Sequence, residues 1–158
     1  MFVAVDCFSK IIDENDLMPE DIEKIKILLD PLSEKPPWRN REIRTQIDAQ
    51  FSLAYVFAVA AHRVKVADWQ DLETIKNPRI TQFMEKISFD PHPEYGKRVL
   101  EDPRCNLAEV EVVAKGKVFK EEKTYFRGAF YPEEARLSDE ELEEKFRSNA
   151  SRFLTWHK

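Results

Sequence analysis

Asp48-Ala49-Gln50-Phe51-Ser52-Leu53-Ala54-Tyr55-Val56-Phe57-Ala58-Val59-Ala60-Ala61 is apolar on every side of any helix drawn through it. A helix of that kind is buried rather than laid on a surface. The pattern predicts one buried helix over about residues 51–62, with Ser52 or Asp48 capping its start. The chain has 158 residues, enough for one domain with a core, or one domain plus an excursion.

Upstream, Phe2, Val5, Phe8, Ile11 and Ile12 recur at helical spacing, with Ser9, Lys10, Asp13 and Glu14 opposite, which predicts a helix over 2–15. Met18-Pro19-Glu20-Asp21 breaks it. Ile25, Ile27 and Leu29 then alternate with Lys24 and Lys26, the period of a strand that Pro31 ends. Leu28 interrupts the alternation and predicts a strand end buried on both faces. Residues 32–47 read as a polar, Pro-containing loop around Trp38.

Downstream, Asp68 to Thr74 reads as a short helical turn. Asn77-Pro78 is a helix start, cap followed by Pro at the first helical position, with Ile80, Phe83 and Met84 facing inward. Residues 87–89 suggest a short strand. Over 107–127, Glu109-Val110-Glu111-Val112 alternates, Lys115-Gly116-Lys117 turns, and Val118, Phe119, Tyr125 and Phe126 return, predicting a hairpin with charged outer faces. Ser138-Asp139-Glu140-Glu141 is a capping box, with Leu137 and Leu142 placed for a hydrophobic staple. The order predicts an α+β fold: a small antiparallel or mixed sheet with helices packed on one face, and one buried apolar helix.

Composition excludes several functions. The net charge is −5, and no long Lys/Arg run exists, so no nucleic-acid surface is expected. Three Gly leave no phosphate-cradling loop. Cys7 and Cys105 make neither a disulfide framework nor a zinc set, which suits a reduced, cytoplasmic setting. With three scattered His, no metal site and no cofactor are expected. The longest apolar run, Leu53–Ala61, is far short of a membrane span, so no membrane partner is expected. Eleven Phe, four Tyr and three Trp suit a folded chain and permit an interface, including a homodimer.

Five stretches, in order, resemble the MmgE/PrpD family, which includes 2-methylcitrate dehydratase and related lyases and isomerases. They are Val3-Ala4-Val5-Asp6; Leu17 to Ile25, ended by Pro31-Leu32; Ala49-Gln50-Phe51-Ser52-Leu53-x-Tyr55; Arg79-Ile80 to Lys86-Ile87; and Leu137 to Phe146. The third is the most specific. The resemblance implies a two-domain enzyme, with chemistry in the cleft between a large helical domain and a smaller α+β domain. Residues 1–132 then correspond to the small domain, and 133–158 to the start of the return toward the helical one. It also implies acid/base His, Asp and Lys from the helical domain, and a Lys-x-Tyr-Pro motif and a His that would fall before position 1. On that reading the chain is an excised domain, half of a split enzyme or a truncated frame, without most of the catalytic set and inactive alone.

The resemblance places Tyr55 at the cleft as the candidate catalytic residue, where its hydroxyl would bond a substrate carboxylate or carry a proton. Gln50 and Ser52 are the candidate substrate-binding residues, with capping the simpler role for Ser52. The expected substrate is a small di- or tricarboxylate, and an Arg from 39–44 is a further candidate. Read from sequence alone, Arg39, Arg41 and Arg44 form a solvated loop, His62 and Arg63 end a helix, and Glu133 to Glu144 is a solvated helix start. His92 and His157 have no evident partner, Cys7 is a small core residue, and Cys105 sits in a loop. The alternative is a non-catalytic α+β module that binds a partner or dimerises through its aromatic surface.

Overall fold

The computed structural model describes residues 1–151. Helix α1 (Phe2–Glu14) leads into strand β1 (Ile22–Leu29), and a long crossover then carries five short helices: α2 (Pro36–Arg39), α3 (Gln46–Phe51), α4 (Leu53–Ala61), α5 (Leu72–Ile75) and α6 (Pro78–Phe83). Strand β2 (Ile87–Pro91), helix α7 (Tyr95–Glu101), the hairpin β3 (Ala108–Ala114) and β4 (Lys117–Lys123), and helix α8 (Asp139–Ala150) follow. The fold is α+β, and its four-stranded sheet is mixed, in the order β2-β1-β3-β4.

The parallel member is β2, with Ile25 opposite Ile87 and Leu29 opposite Pro91. Parallel strands cannot be joined by a tight turn, so the whole stretch from Pro31 to Lys86, buried helix included, is the connection. Strand β3 runs antiparallel to β1, with Ile27 opposite Val110. The hairpin turns through Lys115 at φ 52° and Gly116 at φ 68°. Two consecutive positive φ values match the right-handed strand twist, and Gly takes the second without strain.

One face of the sheet carries Ile25, Ile27, Val110 and Val112, each buried. Helix α1 packs on β3 and β4, and α4 packs on α1 and reaches β2. Phe8 and Phe57 meet there with ring centroids 5.3 Å apart. All nine residues of α4 are buried, as its uniform apolarity requires. Side chains such as Leu53, Tyr55 and Phe57 each contribute roughly 1.5–3 kcal/mol by leaving water. The opposite face holds the row Lys26, Glu111, Lys120, tied by Lys120 to Glu109 at 3.0 Å.

Four local readings change. The buried segment is two helices, because Ser52 takes an extended backbone (ψ 113°) between α3 and α4. The 32–47 stretch is ordered by a 3-10 turn at Pro31–Glu34, where Asp30 accepts the Leu32 N–H, and by Pro36 and Pro37 opening α2. Leu28 lies on the charged side opposite Glu109 and is only half-buried, so the strand end is not buried on both faces. Helix α7 had no signal in the pattern, since Val99 and Leu100 stay partly or largely exposed. Among the described residues, no helix is long and apolar enough to cross a membrane.

Candidate active-site wall at the α3–α4 junction

Two caps build the junction. Thr45 and Asp48 form a capping box on α3, and the Asp48 carboxylate also accepts the Arg44 N–H at 3.1 Å. The hydrogen bond from the Thr45 side chain, then that from the Arg44 backbone, holds the Asp48 carboxyl below its usual range. One residue after α3 ends, the Ser52 hydroxyl accepts the Tyr55 N–H at 3.2 Å and donates to the Asn40 carbonyl at 2.5 Å. A single fully buried hydroxyl thus caps α4 and anchors the returning 40–45 segment.

Tyr55 lies one turn into α4, 1% exposed. Its hydroxyl donates to the Trp69 carbonyl at 2.5 Å, while the Trp69 indole N–H donates to the Val64 carbonyl at 2.8 Å. Burial, and then the nearby Asp71 carboxylate, push the Tyr55 phenol up to about 12. It is therefore a neutral donor throughout the physiological range. Gln50 lies on α3 and is exposed. The three candidates share one junction but not one surface: Gln50 faces solvent, whereas Ser52 and Tyr55 point into protein. Asn40 and Trp69, their partners, were not singled out by the pattern; nothing in a Pro-rich loop or an isolated Trp announces a carbonyl acceptor.

Apolar side chains surround this region without cover. Ile47 is 69% exposed, Val66 71% and Leu72 59%. The segments carrying them are adjacent, since Gln46 donates to the Gln70 carbonyl at 3.2 Å and α3 packs on α5.

The arginines of the neighbouring segment do not form a merely solvated patch. Arg41 donates to the carbonyls of Met84 and Ile87, the latter at 2.6 Å, and Arg39 donates to the Phe89 carbonyl at 3.3 Å. Ile87 and Phe89 are alternate residues of the edge strand β2, so the two guanidiniums cover carbonyls that an open edge would expose. Arg44 pairs with Glu42 at 2.5 Å.

The remaining candidates lie elsewhere. His62 ends α4 and its Nδ1 is 2.8 Å from the Ala58 carbonyl, while Arg63 turns away to Asp13. Cys7 and Cys105 are both buried and free. Burial is the main cause lifting the Cys7 thiol to about 12, which fits a core residue. Most of the acid run is exposed, although Glu141 pairs with Arg127 at 2.5 Å. His157 lies outside the described residues.

His92 does have partners. It is buried, its Nδ1 accepts the Glu94 N–H at 3.1 Å, and its Nε2 lies 3.8 Å from Glu122. The ligand atoms of His92, Glu109 and Glu122 come within 4.8 Å of one another, close enough to suggest a metal. The chemistry does not fit. An Nδ1 that accepts a hydrogen bond leaves the proton on Nε2, the atom that would have to ligate. Lys120 and Arg98 also engage the two carboxylates, at 3.0 Å and 3.3 Å.

A search of curated proteins finds no match to this chain. The sequence pattern that defines the MmgE/PrpD C-terminal domain does match, over residues 1–158. It takes in the Gln50–Tyr55 segment, whose two caps and buried tyrosine make the junction between α3 and α4. The chain belongs to the MmgE/PrpD family, as its C-terminal domain.

Proposed function

We propose that this chain is the small-domain wall of a lyase or isomerase acting on a small di- or tricarboxylate, in the manner of 2-methylcitrate dehydratase. Residues 1–132 are the small domain, and 133–158 begin the return toward a helical domain that carries the principal acid/base groups. The observation that carries this reading is the family match, whose span of residues 1–158 includes Tyr55. The reaction class is proton abstraction beside a carboxylate, with loss of water or carbon dioxide, or with reprotonation.

Tyr55 is held as a neutral phenol, the form that donates a hydrogen bond to developing enediolate charge. In the folded chain that hydroxyl donates instead to the Trp69 carbonyl. Catalysis therefore requires the hydroxyl to rotate toward substrate and the Val66–Asp71 segment to give way. Ser52 holds the tyrosine's helix in place, and the exposed Gln50 is the substrate contact. The uncovered Ile47, Val66 and Leu72 suit coverage by the helical domain. The same exposed groups favour the alternative, a non-catalytic module that binds a partner or a second copy of itself.

The test is turnover of a panel of di- and tricarboxylates by the protein, with and without a helical domain of the family supplied. Product formation that depends on Tyr55 supports the reading. No turnover of any such acid, together with sedimentation as a stable homodimer, supports the alternative.

A further inference from the structure

Helix α7 is held to the rest of the domain by polar contacts. None of its seven residues is buried. The Tyr95 hydroxyl donates to Asp30 at 2.9 Å, Arg98 donates to Glu122 at 3.3 Å, and Lys97 stays beside Glu94 at 3.9 Å. A helix that puts no apolar side chain into the core belongs to the part of a fold that opens most readily. With the segment from Asp30 to Lys35 on one side, Tyr95, Gly96, Val99 and Leu100 of α7 wall a cleft of about 630 Å³.

His92 stands just before this helix, and its backbone is bolted to the sheet. Its N–H donates to the Leu29 carbonyl at 2.8 Å, at the end of β1, and its own carbonyl accepts the Tyr95 N–H at 3.1 Å. The side chain is buried, and its Nδ1 accepts the Glu94 N–H at 3.1 Å. Glu94, the N-cap residue of α7, makes no side-chain cap of its own, so the ring supplies the acceptor for the turn that opens the helix. That bond needs a lone pair on Nδ1, which neutral imidazole has and imidazolium lacks. The proton of the neutral ring is then on Nε2, which lies 3.8 Å from Glu122 Oε2, beyond hydrogen-bond length.

The charged side chains disposed around the ring come from every neighbouring element. Strand β3 brings Glu109, β4 brings Glu122 and Lys120, and α7 and its cap bring Arg98 and Glu94. Asp90 lies on the same side of β2 by strand alternation, and Asp30, after β1, is engaged by Tyr95. Arg98 binds Glu122 through Oε1, which leaves Oε2 facing His92. We propose that His92 is an acid-operated latch on α7. Protonation of the ring turns Nδ1 from an acceptor into a donor, which cannot remain against the Glu94 N–H. The imidazolium instead closes on the Glu122 carboxylate through Nε2–H, a charge-assisted bond that the neutral ring does not make. The first turn of α7 is then released, and the cleft that it walls widens.

The experiment is an NMR titration of the whole chain from about pH 8 to 5, the range over which histidine changes charge, reading the His92 ring C–H and Glu94 backbone N–H signals together with amide exchange. The Glu94 N–H should titrate with the same midpoint as the ring. The amides of Glu94, Tyr95 and Arg98, corrected for intrinsic exchange, should lose protection about five- to tenfold, the worth of one hydrogen bond, while β1 and β3 keep theirs. His92→Asn puts an acceptor that does not titrate near the place of Nδ1, and should make the protection of these amides independent of pH. Three results overturn the proposal: a ring that stays neutral throughout the titration, a Glu94 N–H indifferent to the ring's charge, or an acid-induced loss of protection that persists in His92→Asn. Should that variant not fold, the coupling of the ring and Glu94 signals in the unaltered protein decides. The readout involves neither Tyr55 nor turnover, so its outcome and that of the active-site reading are separate.

Discussion

The Ser52 hydroxyl donates to the backbone carbonyl of Asn40, twelve residues back along the chain, at 2.5 Å. The same oxygen caps α4 by accepting the Tyr55 N–H. Ser52→Ala should therefore remove a helix cap and leave a part-buried carbonyl without this donor, destabilising the domain by about 1–3 kcal/mol. Urea unfolding measures this. A loss under about 0.5 kcal/mol, the usual effect of a surface substitution, would remove Ser52 from its structural role.

Arg41 should matter more than its exposure suggests. Arg41→Ala frees the Met84 and Ile87 carbonyls and should cost about 1–3 kcal/mol. Arg41→Lys should not restore it, since a single ammonium lacks the guanidinium's fork. Faster amide exchange in 84–89, with β3 and β4 unchanged, is the expected signature. Uniform loss across the sheet would instead mean that the arginine acts globally.

Alkaline pH should destabilise the fold. Tyr55 and Cys7 are both raised to about 12, from 10.0 and 9.0, each chiefly by burial. A raised folded value favours the protonated form in the native state. The associated stability is complete below the unfolded values and is lost as pH rises from about 9 to 12. Tyr55→Phe should flatten the upper part of that decline. An equally steep decline in the variant would mean that other groups dominate. Because both thiols are buried, neither should react with an aromatic disulfide reagent at pH 8 in the native protein, and both should react after unfolding.

The segment after β4 is tied back through Arg127. Its backbone N–H donates to Asp6 at 2.6 Å, and its guanidinium reaches Glu141 and the carbonyls of Glu134 and Arg136. Burial is the leading cause raising the Asp6 carboxyl, partly offset by that N–H. Arg127→Ala should speed limited proteolysis between 128 and 138 while the sheet stays protected, and high salt should act the same way on the native protein. Cleavage at the native rate in the variant would show that the arginine does not hold this segment.

Legibility in the sequence followed periodicity. Helix α1, strand β1, the hairpin and the Ser138 cap were readable because alternation, helical spacing or capping chemistry is local. The buried character of Leu53–Ala61 was readable for the same reason. The break at Ser52 was not, because its cause is a bond to Asn40, twelve residues away. The pairing of β1 with β2 was left open between antiparallel and mixed, since direction depends on how the 31–86 crossover packs. Helix α7 buries too little to leave a pattern. At the candidate wall, Tyr55 came from resemblance and its local role from structure. Trp69, whose carbonyl accepts its hydrogen bond, had no distinguishing signal. His92 was read as unpartnered because Glu122 is thirty residues away in sequence and beside it in space.

The most direct test is the rate at which the protein, completed by a helical domain of the family, converts small di- and tricarboxylates when Tyr55 is replaced by Phe. The folded state should persist, losing about 1 kcal/mol with the Trp69 bond. Turnover should fall about 100-fold or more, the contribution of a placed proton donor, chiefly in kcat. Turnover within twofold of the unaltered protein, on any acid that it accepts, would contradict the placement of Tyr55 in the active site.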